Sequence, residues 1–298
     1  MAMTTRALVL GGGGPVGIAW ESGLIAGFAQ AGVDLGAADF TLGTSAGAFV
    51  GARLAMGADA RLLADPILTE AERRPPSPAT DADRKPADLA ELMRLMGEAQ
   101  SGMGNPAEAR ARIGAFALAA DTLGEEDFLN TFGRSFAGLA PDAWPERGFA
   151  CTAVDAQDGA FQLWTQASGV GISRAVASSC SVPGVYPPVT LLGRRYIDGG
   201  MRSSTNADMA AGYDVVVVVA VRLGAAGGAA LERIAARFEE EVQLLQDGGG
   251  TVVTIIPDEA SVEAFGPNLM DFRRRADAAR AGLEQGRVQA AVLKEIWG

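Results

Sequence analysis

Within its first 56 residues the chain shows one pattern twice: a short apolar segment, a glycine-rich turn, then a helix-like stretch. Arg6 to Leu10 reads as a buried strand, Gly11 to Gly17 as a tight loop, and Ile18 to Ala31 as a helix stopped by Gly32. Phe40 to Leu42 repeats the strand, Gly43 to Gly47 the turn, and Ala46 to Met56 the helix. This alternation predicts a layered α/β fold, with a mainly parallel central sheet flanked by helices.

The rest of the chain extends the pattern. Arg73 to Pro86 carries four prolines and reads as a loop. From Ala87 to about Ala140 the periodicity is helical, so residues 73 to 147 are expected to form a helical insertion, a cap within a single domain of residues 1 to 298. Gly148 to Ala156 and Ala160 to Gln166 predict a hairpin turning at Gln157-Asp158-Gly159. A helix over Ile172 to Ser178 follows, then a strand through Tyr196-Ile197 that ends at Asp198-Gly199-Gly200. Asp214 to Val221 and Thr251 to Ile256 read as two more strands around a helix at Ala229 to Gln246. A long helix, about Leu269 to Trp297, closes the chain.

Composition narrows the chemistry. The 298 residues include no histidine, which rules out Ser-His-Asp triads, Cys-His dyads and histidine metal sites. Two cysteines, Cys151 and Cys180, build neither a structural zinc site nor a disulfide framework, and no metal or cofactor is expected. The formal net charge of −11, without a basic stripe, argues against nucleic-acid binding and against strong docking on anionic membranes. The longest apolar run, Val215 to Val221, is far short of a membrane span of roughly 20 residues. No secretory signal opens the sequence, and a cytoplasmic protein is expected.

Gly12-Gly13-Gly14-Pro15-Val16-Gly17 satisfies G-x-G-x-x-G between a strand and a helix, as a dinucleotide-binding turn does. Such a site also wants an acidic residue at the end of the second strand. Asp34 precedes that strand and Asp39 sits at its start, so neither is well placed. The other reading is a nest of backbone N–H groups from Gly12, Gly13 and Gly14, aimed at a developing oxyanion. A tight packing turn is a third.

Gly43-Thr44-Ser45-Ala46-Gly47 is G-x-S-x-G at a strand-to-helix junction, the setting of a nucleophile elbow. The Ala46 N–H at the helix start is a further oxyanion donor. An ordinary N-cap serine is the alternative. With no histidine, the base must be a carboxylate, and Asp198 stands out because it ends an apolar strand and precedes two glycines. An Asx-turn aspartate would look the same. Burial would be needed to lift its pKa from about 3.9 into a useful range.

Together these motifs resemble the patatin-like phospholipases. The matching residues are Gly12 to Gly17, Gly43 to Gly47, Asp198 to Gly200 and the segment Ala177-Ser-Ser-Cys-Ser-Val-Pro-Gly-Val-Tyr-Pro-Pro188. The resemblance implies a three-layer fold, a dyad of Ser45 as nucleophile and Asp198 as general base, and hydrolysis of lipid acyl esters through an acyl-enzyme. It also implies an oxyanion hole from Gly12, Gly13, Gly14 and Ala46, framed by Gly17, Gly43, Gly47, Gly199 and Gly200. The partner is then a lipid or acyl-ester substrate, met in transient contact with a membrane surface. One departure stands out: the family usually has arginine where this chain has Val16, which leans the expectation toward neutral or soluble esters. Met93, Met96, Phe116 and Phe128 of the insertion are candidates for shaping acyl-chain access. Against this stand nucleotide binding by the glycine loop and a catalytically silent member of the family.

Overall fold

A computed structural model describes residues 4–73, 89–99, 104–221 and 229–297. The chain runs β1 (Arg6–Leu10), α1 (Gly14–Gln30), β2 (Phe40–Gly43), α2 (Ala46–Ala55) and α3 (Asp65–Arg73). Then come α4 (Leu89–Ala99), α5 (Pro106–Ala119), α6 (Glu125–Gly133), β3 (Gly148–Asp155), β4 (Phe161–Trp164) and α7 (Ile172–Ser179). The hairpin β5 (Val189–Leu191) and β6 (Arg194–Asp198) precedes β7 (Val215–Val219), α8 (Ala229–Asp247), β8 (Thr251–Ile255), α9 (Glu259–Phe265) and α10 (Arg275–Trp297).

The strands form one sheet in the order β5-β6-β3-β2-β1-β7-β8, with β4 also paired to β3. β3, β2, β1, β7 and β8 are parallel neighbours, while β4, β5 and β6 run antiparallel. The sheet is therefore mainly parallel, as the alternation predicts. Five consecutive valines make β7 a strand buried on both faces rather than a span. Among the described residues, no helix is long and apolar enough to cross a membrane.

Alternating side chains put the strands' two faces into separate cores. Leu8, Leu10, Val217 and Val219 pack against α1, α2 and α10. Ala7, Val9, Val216 and Val218 pack against α8. Helices thus cover both faces, giving three layers.

Two boundaries differ from the expected ones for physical reasons. Helix α1 begins at Gly14 rather than Ile18, because Pro15 suits the first turn of a helix and its missing N–H costs nothing there. Helix α10 begins at Arg275, after a short helical turn over Phe272–Arg274 capped by Asp271. The loop expected over Arg73 to Pro86 lies outside the described residues beyond Arg73. The segment expected as a helical insertion divides its work. Leu92, Leu95 and Ile113 of α4 and α5 join the core over Val154 and Ile197, whereas α6 lies beside α7.

The pairing of α1 with α10 anchors the glycine loop. A Cβ on Gly23 or Gly27 would stand 2.1 and 2.2 Å from carbonyl oxygens of α10, so the two backbones touch. Trp20 Nε1 donates to Ser261 Oγ at 3.1 Å and Gln285 Oε1 at 3.2 Å, which ties α1 to α9 and α10.

Candidate active site

Ser45 occupies a strained backbone position, φ 54° and ψ −114°. A non-glycine residue there costs on the order of 1–3 kcal/mol and persists only when its surroundings hold it. They do so from three sides. Its N–H donates to Ser179 Oγ at 2.9 Å, its carbonyl accepts from the Cys180 thiol at 3.1 Å, and the Gly47 N–H donates to Gly11 O at 2.9 Å. The flanking glycines are forced by contact. A Cβ on Gly43 would meet Ala48 Cα at 2.3 Å, and one on Gly47 would meet Leu10 O at 2.1 Å. The Ser45 side chain makes no capping hydrogen bond to α2, which removes the N-cap alternative.

Asp198 reaches the same spot from the other side of β3. Gly43 pairs with Cys151 and Asp198 with Ala153, so two residues past the end of β2 the chain stands level with Asp198. Strands about 4.8 Å apart leave roughly 10 Å between backbones across β3, a gap that two inward side chains can close. Asp198 is buried, and loss of solvent pushes its pKa up to about 7. The nearby Ser45 side chain and the Gly200 N–H, which donates to Oδ1 at 2.7 Å, hold it from rising further. The Asx turn is thus formed, with Oδ1 closing it, and the same carboxyl lies beside the Ser45 side chain.

The glycine loop needs one correction. Gly12, expected as an oxyanion donor, gives its N–H to Ser204 O at 2.8 Å, so it leaves the donor set. Its own position is a close approach, with space for a Cβ ending 3.3 Å from Ser45 Cβ. The N–H groups of Gly13, Gly14 and Ala46 have no hydrogen-bond partner among the described residues. Gly14 adopts φ +59°, which turns the chain into α1. Gly17 lies 3.4 Å, by its would-be Cβ, from Ala46 Cβ, so the two helix N-termini stand side by side. Amides without partners among the described residues and two adjacent helix N-termini thus lie near Ser45, a setting that favours negative charge.

A cavity of about 300 Å³ opens beside Ser45, at the small end of ligand-pocket sizes. Gly14, Pro15, Ile18, Ala46 and Cys180 floor it, and Phe49, Leu123, Phe128, Phe132, Val182 and Tyr186 form an apolar wall. Phe128 packs on both Phe132 and Tyr186, so that wall is interlocked. Met270, Phe272 and Arg275 line another part, and Arg275 is the only charged side chain on the lining among the described residues. Of the insertion residues singled out for acyl access, Phe128 lines this cavity. Met96 and Phe116 instead pack against the core under α4 and α5, and Met93 is exposed.

The acids that a dinucleotide site would have used are engaged elsewhere. Asp34 Oδ1 accepts from the Gly36 N–H at 2.9 Å, and Asp39 Oδ2 from the Arg6 N–H at 2.7 Å. Val16, where the resemblance expects arginine, is fully buried in the core. Sequence reasoning passed over Thr44, Thr152, Ser179 and Asn206, all buried polar residues bonded around the elbow. It also passed over Glu21 on α1, which is fully buried with neither carboxyl oxygen hydrogen-bonded among the described residues. Burial pushes the Glu21 pKa well up, and the Gly11 amide, whose N–H donates to Val219 O at 2.9 Å, offsets this only in part.

Comparison with known proteins adds a family to this geometry. A family model described as patatin-like phospholipase matches residues 8–211. No curated protein matches the chain. Among solved structures, VipD from Legionella pneumophila is similar at 15% identity and a TM-score of 0.46, over 98% of this chain and 67% of that one. The type III effector protein ExoU is similar at 18% identity and a TM-score of 0.40, over 97% of this chain and 53% of that one. This chain thus spans about two thirds of the first and about half of the second.

Proposed function

Because this chain belongs to the family of patatin-like phospholipases, we propose that it hydrolyses carboxylic esters of lipids with Ser45 and Asp198 as its only acid-base pair. One observation carries the reading: a serine held at φ 54°, free of capping bonds, faces a buried carboxyl whose pKa lies at about 7. An aspartate near 3.9 is a poor base, whereas one near 7 is matched to neutral pH.

Asp198 takes the Ser45 proton as Oγ attacks the acyl carbon. The carbonyl oxygen becomes an oxyanion received by the N–H groups of Gly13, Gly14 and Ala46. Each such donor is worth about 2.7–4 kcal/mol where it has been removed from other enzymes. The tetrahedral adduct collapses by breaking the bond to the leaving alkoxide, which picks up the proton from Asp198 and departs as an alcohol. Water then attacks the acyl-Ser45 ester, gives its proton to Asp198, and releases the fatty acid as Ser45 Oγ recovers that proton.

The aromatic wall suits the acyl chain, and the small cavity favours one chain over a bulky pair. Two buried free cysteines accord with a reduced, cytoplasmic setting, and a lipid ester substrate would be met in brief contact at a lipid surface. Incubation with a panel of acyl esters of graded chain length should give turnover that Ser45→Ala abolishes. Unchanged turnover in Ser45→Ala would eliminate the mechanism.

A further inference from the structure

Outside the residues that perform the reaction, one buried polar network joins both halves of the dyad, and a single side chain stands at its centre. Asn206 is fully buried and adopts φ 51°, ψ 34°. It is one of three non-glycine residues at positive φ among the described residues, and Ser45 is another. Its Nδ2 donates to Ser203 O at 2.8 Å and to Thr44 Oγ1 at 3.1 Å, and touches Gly199 O at 3.3 Å and Thr152 Oγ1 at 3.4 Å. Thr44 precedes the nucleophile; Gly199 follows the base.

We propose that Asn206 is a positioning residue that fixes the separation of Ser45 and Asp198; this rests on the functional reading above. Three observations carry it. First, the amide cannot turn over, because Oδ1 accepts from Arg202 Nη1 at 2.8 Å, and Arg202 Nη1 is itself held by Asp208 at 2.9 Å. The two amide hydrogens must therefore face Thr44 and the loop that follows Asp198. Second, the residues on either side of Asn206 are pinned from α8. Glu241 Oε2 accepts from Thr205 Oγ1 at 2.7 Å and from the Ala207 N–H at 2.9 Å, while Arg237 balances its charge at 3.2 Å. Third, Thr152 is wedged between the two halves. Its Oγ1 is 2.9 Å from Thr44 Oγ1, and it would sit 2.1 Å from a Cβ on Gly199. The strand between Ser45 and Asp198 is thus clamped to both neighbours, and the Asn206 amide closes the clamp.

Asparagine suits the task on two counts. It tolerates positive φ better than most residues, and its amide supplies two donors in a fixed plane. A misplacement of about 1 Å at a reacting pair can cost on the order of 10²-fold in rate.

The test compares Asn206→Gly and Asn206→Asp with wild type, using a soluble acyl ester. Both variants allow positive φ, and both remove the donors. Thr44→Val, which removes the acceptor, gives a second route if the Asn206 variants melt too low. Active-site titration and thermal melting restrict the comparison to folded enzyme. We expect kcat to fall about 10²-fold in the Asn206 variants and less in Thr44→Val, with KM near wild type. Folded variants that keep wild-type kcat, or that change only KM, would overturn the proposal while leaving the functional reading intact. Wild-type enzyme with no turnover on any ester would instead bring down the functional reading and this proposal with it.

Discussion

Ser45 and Asp198 arrive at one point of the sheet from opposite sides of β3. Ser45 follows the end of a parallel strand, whereas Asp198 ends an antiparallel one that pairs with β3 at Ala153. β3 projects beyond the end of β2, and the short antiparallel β6 pairs only with that projecting part, Asp155 back to Ala153, so its last residue stops level with the residue two past the end of β2. A carboxyl brought there is shielded by helices on both faces. Burial alone then supplies the raised pKa that a base without a histidine partner requires.

Activity should therefore carry an acid limb near pH 7. Asp198 must be ionised to accept the Ser45 proton, so kcat/KM is expected to rise with pH and level off above a midpoint of about 7. Asp198→Asn should remove the limb and lower the rate about 10²–10⁴-fold. A pH–rate profile from 4 to 9 reads both, and a midpoint near 4 would show that the carboxyl is solvated.

The same burial makes Asp198 a liability for the fold. A carboxyl whose folded pKa lies above its unfolded one stabilises the fold fully only below the unfolded pKa. Its contribution is lost as pH rises from about 3.9 through about 7. At higher pH, keeping the group ionised costs on the order of 4 kcal/mol. Asp198→Asn should accordingly melt higher than wild type at pH 8, and by a smaller margin at pH 5. Equal melting temperatures at pH 8 would contradict a buried charge.

Glu21 obeys the same sign, with no catalytic return. Its carboxyl is fully buried and lacks hydrogen-bond partners among the described residues, so the fold favours its neutral form. Glu21→Gln should leave kcat unchanged and raise stability increasingly with pH above the ordinary glutamate range near 4.3. Melting curves at pH 5 and pH 9 check this; a variant that melts lower at pH 9 counts against it.

Arg275 should govern the response to charged substrates. Val16 lies in the core and offers no cation, whereas Arg275 lines the cavity, paired with Glu70 at 3.2 Å. Arg275→Ala is expected to weaken KM about tenfold for an acyl ester bearing a phosphate, a loss of roughly 1.4 kcal/mol. The neutral ester of the same chain should be handled as before. Equal losses for both esters would mean that Arg275 only packs.

The local motifs were legible because each is set by its own few residues. Gly43, Gly47 and the apolar segments before them specify a sharp strand-to-helix turn whatever surrounds it, and Asp198 was conspicuous at a strand end. The glycine loop was half legible. Its position followed from the sequence, but the loss of Gly12 as a donor depends on Ser204, nearly two hundred residues on. Asn206 was hidden for the same reason, since its meaning lies in contacts with Thr44 and Thr152 that are 162 and 54 residues distant. Glu21 was masked by its helix, where a glutamate ordinarily reads as a solvent-facing charge. Helix α9 and strand β5, at seven and three residues, are too short for periodicity to reveal.

The most direct measurement is labelling by a fluorophosphonate, followed by mapping of the modified residue. The serine–aspartate account predicts one phosphonyl group per chain, on Ser45, formed faster as pH rises through about 7 and almost abolished in Asp198→Asn. Labelling elsewhere with Ser45 untouched, or an Asp198→Asn variant that reacts at the wild-type rate, would contradict it.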